Sequence, residues 1–234
     1  MEIKIKKISL GLRHRRMFRI PEIAGGVIDK VIHDSQSPFN KENYERTDAL
    51  LDNRGENKGR VLVDASGDNS LAIDIDSVIF NTTTDDIDAT LKELTDTYIP
   101  YITKNIHKDF TIENFNRIGI VYEFSVTGDP AELLSRITNG NFTSAQNGLF
   151  KFASKEVDSR SRVMKDLLDY KNYLIAIGFD EDTFLAKFDY QFYFDPEIKS
   201  TGDIEFKAFL DESKQKLDSK FLNWLKVDEE QKQS

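Results

Sequence analysis

Between Arg117 and Val126 every second residue is apolar: Ile118, Ile120, Tyr122, Phe124 and Val126. Side chains alternate across a strand, so this spacing predicts a β-strand with one buried face. Such a strand needs neighbours to pair with and a layer to cover its apolar side. Leu71, Ile73 and Ile75 alternate with Ala72, Asp74 and Asp76. With residues 60–65 and the turn Ser66-Gly67-Asp68-Asn69 they read as a hairpin. Residues 149–157, 173–179 and 185–194 read as further strands, the last with Phe188, Tyr190, Phe192 and Phe194 on one face. At the N-terminus Ile3 and Ile5 alternate with lysines, then Ile8, Leu10 and Leu12 alternate in the opposite phase. That slip predicts a bulge or two short strands.

The covering layer is legible as helical stripes. Ile87, Leu91, Leu94, Tyr98, Ile102 and Ile106 recur at three- and four-residue steps and predict a long helix over 85–106. Thr83 or Thr84 is the expected cap, and Pro100 the expected kink. Phe206, Phe209, Leu210, Leu217, Phe221, Trp224 and Leu225 predict a second long helix over 203–226. Pro21 opens a shorter one with Ile20, Ile23, Val27, Ile28, Val31 and Ile32 on one side. Gly25-Gly26 weakens it, and a packing reason is expected for the pair. Gly128-Asp129-Pro130 opens another short helix ending near Ile137, while residues 159–170 fit either a strand or a helix. Residues 33–59 are polar and turn-rich, so they are expected to be the least protected internal segment, with Tyr44, Leu50 and Leu51 nucleating one short helix.

The resulting expectation is an α+β fold, with mixed or antiparallel sheets packed by two long helices. Strands followed by a long helix occur twice, which fits two related α+β halves, 1–127 and 128–234, or one continuous domain.

Two stretches carry a family resemblance. One holds Phe80-Asn81, a helix with Leu91 and Tyr98, then Asn116-Arg117-Ile118-Gly119-Ile120-Val121-Tyr122. The other runs from an aromatic strand at Lys187 to Phe221-Leu222-Asn223-Trp224-Leu225. Both resemble a sporadically distributed bacterial family of uncharacterised proteins that has an Arg-Ile/Leu-Gly-Leu-Arg-Tyr strand after a long helix. The chain departs from that pattern at Val121, where the family has arginine, and at Glu123-Phe124. The resemblance covers under half of the chain. It implies an accessory role, on mobile elements or in defence, and carries over no catalytic residue.

Charge and composition narrow the function further. The 234 residues include no cysteine, which excludes a disulfide framework and Cys-ligated metal sites and fits a reducing, cytoplasmic compartment. The N-terminal Met-Glu-Ile-Lys-Ile-Lys-Lys has no apolar signal core, and the apolar runs are too short to span a bilayer. The net charge of -9 disfavours nucleic acid as a partner. The charge is unevenly spread: seven basic residues and one acid up to Arg19 make +6, leaving -15 for the remainder. Such asymmetry marks a docking surface for another protein, or a strand whose outward face is basic.

Two sets of residues are candidates for chemistry. Arg13, Arg15, Arg16 and Arg19, beside Met17 and Phe18, are candidate binding residues for an acidic partner. Asp64, Asp68, Asp74 and Asp76 offer paired carboxylates for a divalent cation, the alternative being a solvated strand face plus a turn. His14, His33 and His107 have no metal-ligand spacing and are expected at the surface or in caps. No motif implies a cofactor. The leading reading is a non-enzymatic binding protein; the alternative is a metal-dependent hydrolase or nuclease using residues Asp64–Asp76. Self-association is expected if the aromatic strand 185–194 is a sheet edge.

Overall fold

A computed structural model describes residues 2–40, 42–127, 147–157, 170–180, 183–199 and 206–223. The elements run β1 (Glu2–Arg13), α1 (Ile20–His33), β2 (Tyr44–Leu51), β3 (Asn57–Asp64), β4 (Asn69–Asp74), β5 (Ser77–Thr83), α2 (residues 87–109), β6 (Asn114–Thr127), β7 (Asn147–Val157), β8 (Tyr170–Asp180), β9 (Thr183–Lys199) and α3 (residues 206–222). The strands form one nine-stranded sheet in the order β2-β3-β4-β5-β1-β6-β9-β8-β7. Every neighbouring pair is antiparallel. The fold is α+β, with the sheet continuous from the N-terminal strands into the C-terminal ones.

The alternation read from the sequence decides which face is buried. Leu10, Leu12, Phe80, Ile118, Ile120 and Phe188 all sit on the covered side with almost no exposure. The helices supply the cover. Tyr98 of α2 stacks on Phe80 of β5 at 4.2 Å, and Phe221 of α3 meets Phe124 of β6 and Phe188 of β9 at 5.3 and 5.8 Å. Helix α1 lies over β3 and β4. The predicted phase slip is a bulge between Ile5 and Lys7, which lets both halves of β1 turn apolar side chains inward.

β1 and β6 pair at the centre, with Leu10-Gly11-Leu12 across from Ile118-Gly119-Ile120. β5, β4 and β3 follow outward from β1 as β9, β8 and β7 follow from β6. Each set is succeeded in the chain by a long helix, α2 or α3.

Several expectations need correcting. Tyr44–Leu51 is a strand, because pairing with β3 satisfies its backbone where an isolated short helix would not. Ser77–Thr83, which carries no turn-bounded alternation strong enough to read, is also a strand. The turn-rich segment before β2 is anchored by Phe39, fully buried against Tyr44, Phe80, Tyr98 and Tyr101. The cap of α2 is Asp86, whose carboxylate accepts from Ala89 N at 3.0 Å. α2 continues through Pro100, with wide π-type turns at Leu94–Tyr98 and Ile102–Ile106 that absorb the missing proline donor. A Cβ on Gly25 or Gly26 would meet nothing within 4 Å, so close packing is not the reason for that pair.

The aromatic strand β9 lies between β6 and β8, so it is not an edge. Among the described strands the edges are β2 and β7, and β2 breaks register near both ends, which discourages pairing with another chain. His14 and His107 are buried, at 2% and 0% exposure, and His33 alone of the three is solvent-facing. The helix expected after Gly128, residues 159–169, the start of the last helix at Asp203, Trp224, Leu225 and the charged tail lie outside the described residues.

Candidate functional site

The sheet face opposite the helices ends in a groove of about 970 Å³. Its floor is the end of β1 and the start of β6, its walls the β2–β3 hairpin tip, the β4–β5 turn and the first turn of α1. The chain leaving β1 is tied to the β4–β5 turn by His14 N donating to Asp76 O at 2.9 Å and Met17 N donating to Ile75 O at 2.7 Å. Those bonds set Arg13, Arg16 and Phe18 around one opening.

Arg13 and Arg117 are directly opposite each other in the β1–β6 register, on the face opposite the helices. Arg13 donates to Asp76 Oδ2 at 2.7 Å. Partial burial works to raise the Asp76 carboxyl, but the Arg13 hydrogen bond and charge, with Arg16 and His14 nearby, outweigh it and hold it below the usual carboxylate range. Arg117 donates instead to neutral groups, Tyr193 Oη at 3.1 Å and Gln191 Oε1 at 3.4 Å, and lies over the Tyr193 ring at 5.4 Å. Across the opening Lys58 Nζ donates to Asp74 Oδ2 at 2.7 Å. Two apolar side chains line the groove with high exposure, Phe18 at 75% and Leu51 at 53%, and the Arg16 guanidinium is 6.0 Å from the Phe18 ring centre.

Four of the residues singled out from sequence meet here: Arg13, Arg16, Asp74 and Asp76. Arg15 instead pairs with Glu197 at 2.7 Å. Arg19 donates to the Phe110 carbonyl at 2.7 Å, joining the start of α1 to the end of α2. Asp64 and Asp68 lie at the β3–β4 turn, the far end of β4 from Asp74 and Asp76. A six-residue strand puts those two pairs about 17 Å apart. Partial burial would raise Asp64, but hydrogen bonds from Asn69, Ser66 and Gly67 prevail and lower it. Among the described residues no group of three or more histidines and carboxylates stands close enough to hold a metal ion.

Arg117, Lys58 and Leu51 were not readable as site residues. Arg117 belongs to an outward-facing alternation like any surface strand, and only register places it against Arg13. No described helix is long and apolar enough to cross a membrane. The fold and groove define an α+β protein built on an antiparallel sheet. The chain matches no family model and no curated protein.

Proposed function

We propose that the chain is a non-enzymatic interaction protein that receives an acidic segment of a partner protein in this groove. One observation carries the reading: Arg13 and Arg117 face each other in register. Like charges directly opposite on neighbouring strands are destabilising, and departures from local preference concentrate at functional sites. Asp76 pairs with Arg13, so a partner's carboxylate would meet Arg117, whose hydrogen bonds go to neutral groups, since guanidinium groups bind carboxylates in paired geometry. Phe18 and Leu51 offer apolar contact beside it, and an exposed aromatic next to arginine is the composition of an interface anchor. A cytoplasmic setting and an accessory role belong to this reading, supported by the absence of cysteine and by the family resemblance respectively.

The test is fluorescence anisotropy with two labelled peptides, one alternating Glu and Leu and one alternating Lys and Leu. The expected result is saturable binding of the acidic peptide that weakens with salt, and that Arg13→Gln/Arg117→Gln weakens by about tenfold or more. Equal binding of both peptides, or an unaffected double variant, would overturn the proposal. A saturable magnesium or manganese site by calorimetry, lost in Asp74→Asn/Asp76→Asn, would favour the metal-dependent hydrolase or nuclease instead.

A further inference from the structure

A second cavity, of about 680 Å³, lies at the C-terminal end of α2 where the chain turns into β6. That volume is in the range of small-molecule sites, roughly 300–1,000 Å³. Thr103, Lys104, His107 and Lys108 reach it from one helix face, as their three- and four-residue spacing requires. Lys199 joins them from the end of β9, and among the described residues Glu113 is the one acid in its lining. Among the described residues, Lys104 and Lys108 against Glu113 leave this hollow basic in a chain of net charge -9.

His107 is the independent sign of a ligand. It lines the cavity, has 0% exposure, and neither ring nitrogen has a hydrogen-bond partner. Its closest aromatic neighbour is Phe115, with ring centres 4.9 Å apart. A buried polar group without a partner costs about 1–3 kcal/mol, so native proteins keep few of them without a reason. Burial, with a smaller push from His14, lowers the His107 pKa to about 3, so the ring is neutral near pH 7 and carries one N–H to donate. The neighbouring backbone is also unusual. Thr111 has a positive φ of 53°, a region that non-glycine residues enter at a cost, and Ile112 N donates to His107 O at 2.7 Å to hold the turn. The π-type turn Ile102–Ile106 runs directly into His107, and such turns recur at functional sites.

We propose that this cavity binds a small oxyanion-bearing molecule, a phosphate or carboxylate compound, its charge met by Lys104 and Lys108 and its oxygen partnered by the His107 ring. Lysine meets such an anion as a point charge, and a neutral imidazole adds a directional donor without repelling the lysines. This site is separate from the groove and does not depend on the acidic-partner reading.

The experiment follows the histidine side-chain resonances of the full chain by NMR while sodium phosphate or, separately, sodium citrate is added, with sodium chloride at matched ionic strength as the control. The expected result is a saturable displacement of the His107 ring signal by at least one of the two anions and none by chloride. Response to phosphate alone assigns a phosphate compound, and response to citrate alone a carboxylate. Lys104 and Lys108 are exposed, so Lys104→Gln/Lys108→Gln should melt as the parent does. It should bind the anion about tenfold more weakly, the sum of two partly screened charge interactions. No saturable displacement by either anion, or an unchanged affinity in that double variant, would overturn the proposal.

Discussion

Replacing Gly25 and Gly26 by alanine should stabilise the protein. Both are exposed near the middle of the fourteen-residue α1, and neither has a positive φ. Glycine in an exposed helix interior is about 1 kcal/mol worse than alanine, because it leaves more backbone freedom to lose. Nothing lies within 4 Å of either added methyl, so no clash offsets the gain. Each substitution is therefore worth about 1 kcal/mol and the pair about 2 kcal/mol. For a chain of this length that is a rise in melting temperature of roughly 2–4 °C for one and 4–8 °C for both. Urea unfolding should show a higher midpoint with an unchanged slope, since the buried surface is the same. A midpoint that stays or falls would refute the reasoning, showing that something rests against this face of α1. Gly59 is the contrasting case. A Cβ there would run into the Ile73 carbonyl oxygen across the β3–β4 pair, so Gly59→Ala should lower stability by about 1–3 kcal/mol.

Three more outcomes are expected. His107 has a folded pKa of about 3 against 6.5 unfolded, so protonation favours the unfolded chain. Its contribution is whole above pH 6.5 and is lost as pH falls towards 3, about 2 kcal/mol being gone by pH 5. Urea midpoints in acetate and neutral chloride buffers should show this, and a His107→Leu variant that keeps the same slope would disprove it. Tyr122 Oη and Ser213 Oγ form a buried 2.7 Å hydrogen bond between β6 and α3. Ser213→Ala should cost about 1–3 kcal/mol, and Tyr122→Phe added to it should cost little more; additive losses would contradict the shared bond. Phe39→Ala should cost about 3–5 kcal/mol through the cavity it leaves, and hydrogen exchange should then quicken in β2, whose Tyr44 packs on that ring; unchanged stability would show that Phe39 anchors nothing.

The elements with strict periodicity were legible because burial imposes it. The β6 alternation, the α2 stripe and the β1 phase slip each report a one-sided environment, and a one-sided environment is written into every second or every third and fourth residue. β2 and β5 were not legible for the opposite reason. β2 is an edge strand with mostly exposed side chains, and β5 mixes apolar and polar residues, so pairing with neighbours defines both more than their own pattern does. Pattern also ranks exposure poorly for histidine, whose ring is as often apolar filler as a surface group. His107 fell on the helical stripe's own side, at one step from Ile106, and packs as an aromatic against Phe115.

The candidate groove divides in the same way. The basic run Arg13-His14-Arg15-Arg16 was visible as a charge excess, which is a property of composition along the chain. That Arg13 faces a groove, that Arg15 pairs with Glu197 and that nearby Arg19 joins α1 to α2 was decided by partners 63 to 182 residues away. The opposition of Arg13 and Arg117 needs the β1–β6 register, and register is set by the simultaneous fit of both strands' apolar faces under the helices. Residue type and spacing thus determined the strands, helices and buried faces, because those follow from local geometry and solvent. The order of the strands and the company each charge keeps were settled only by long-range pairing, which no short window of sequence contains.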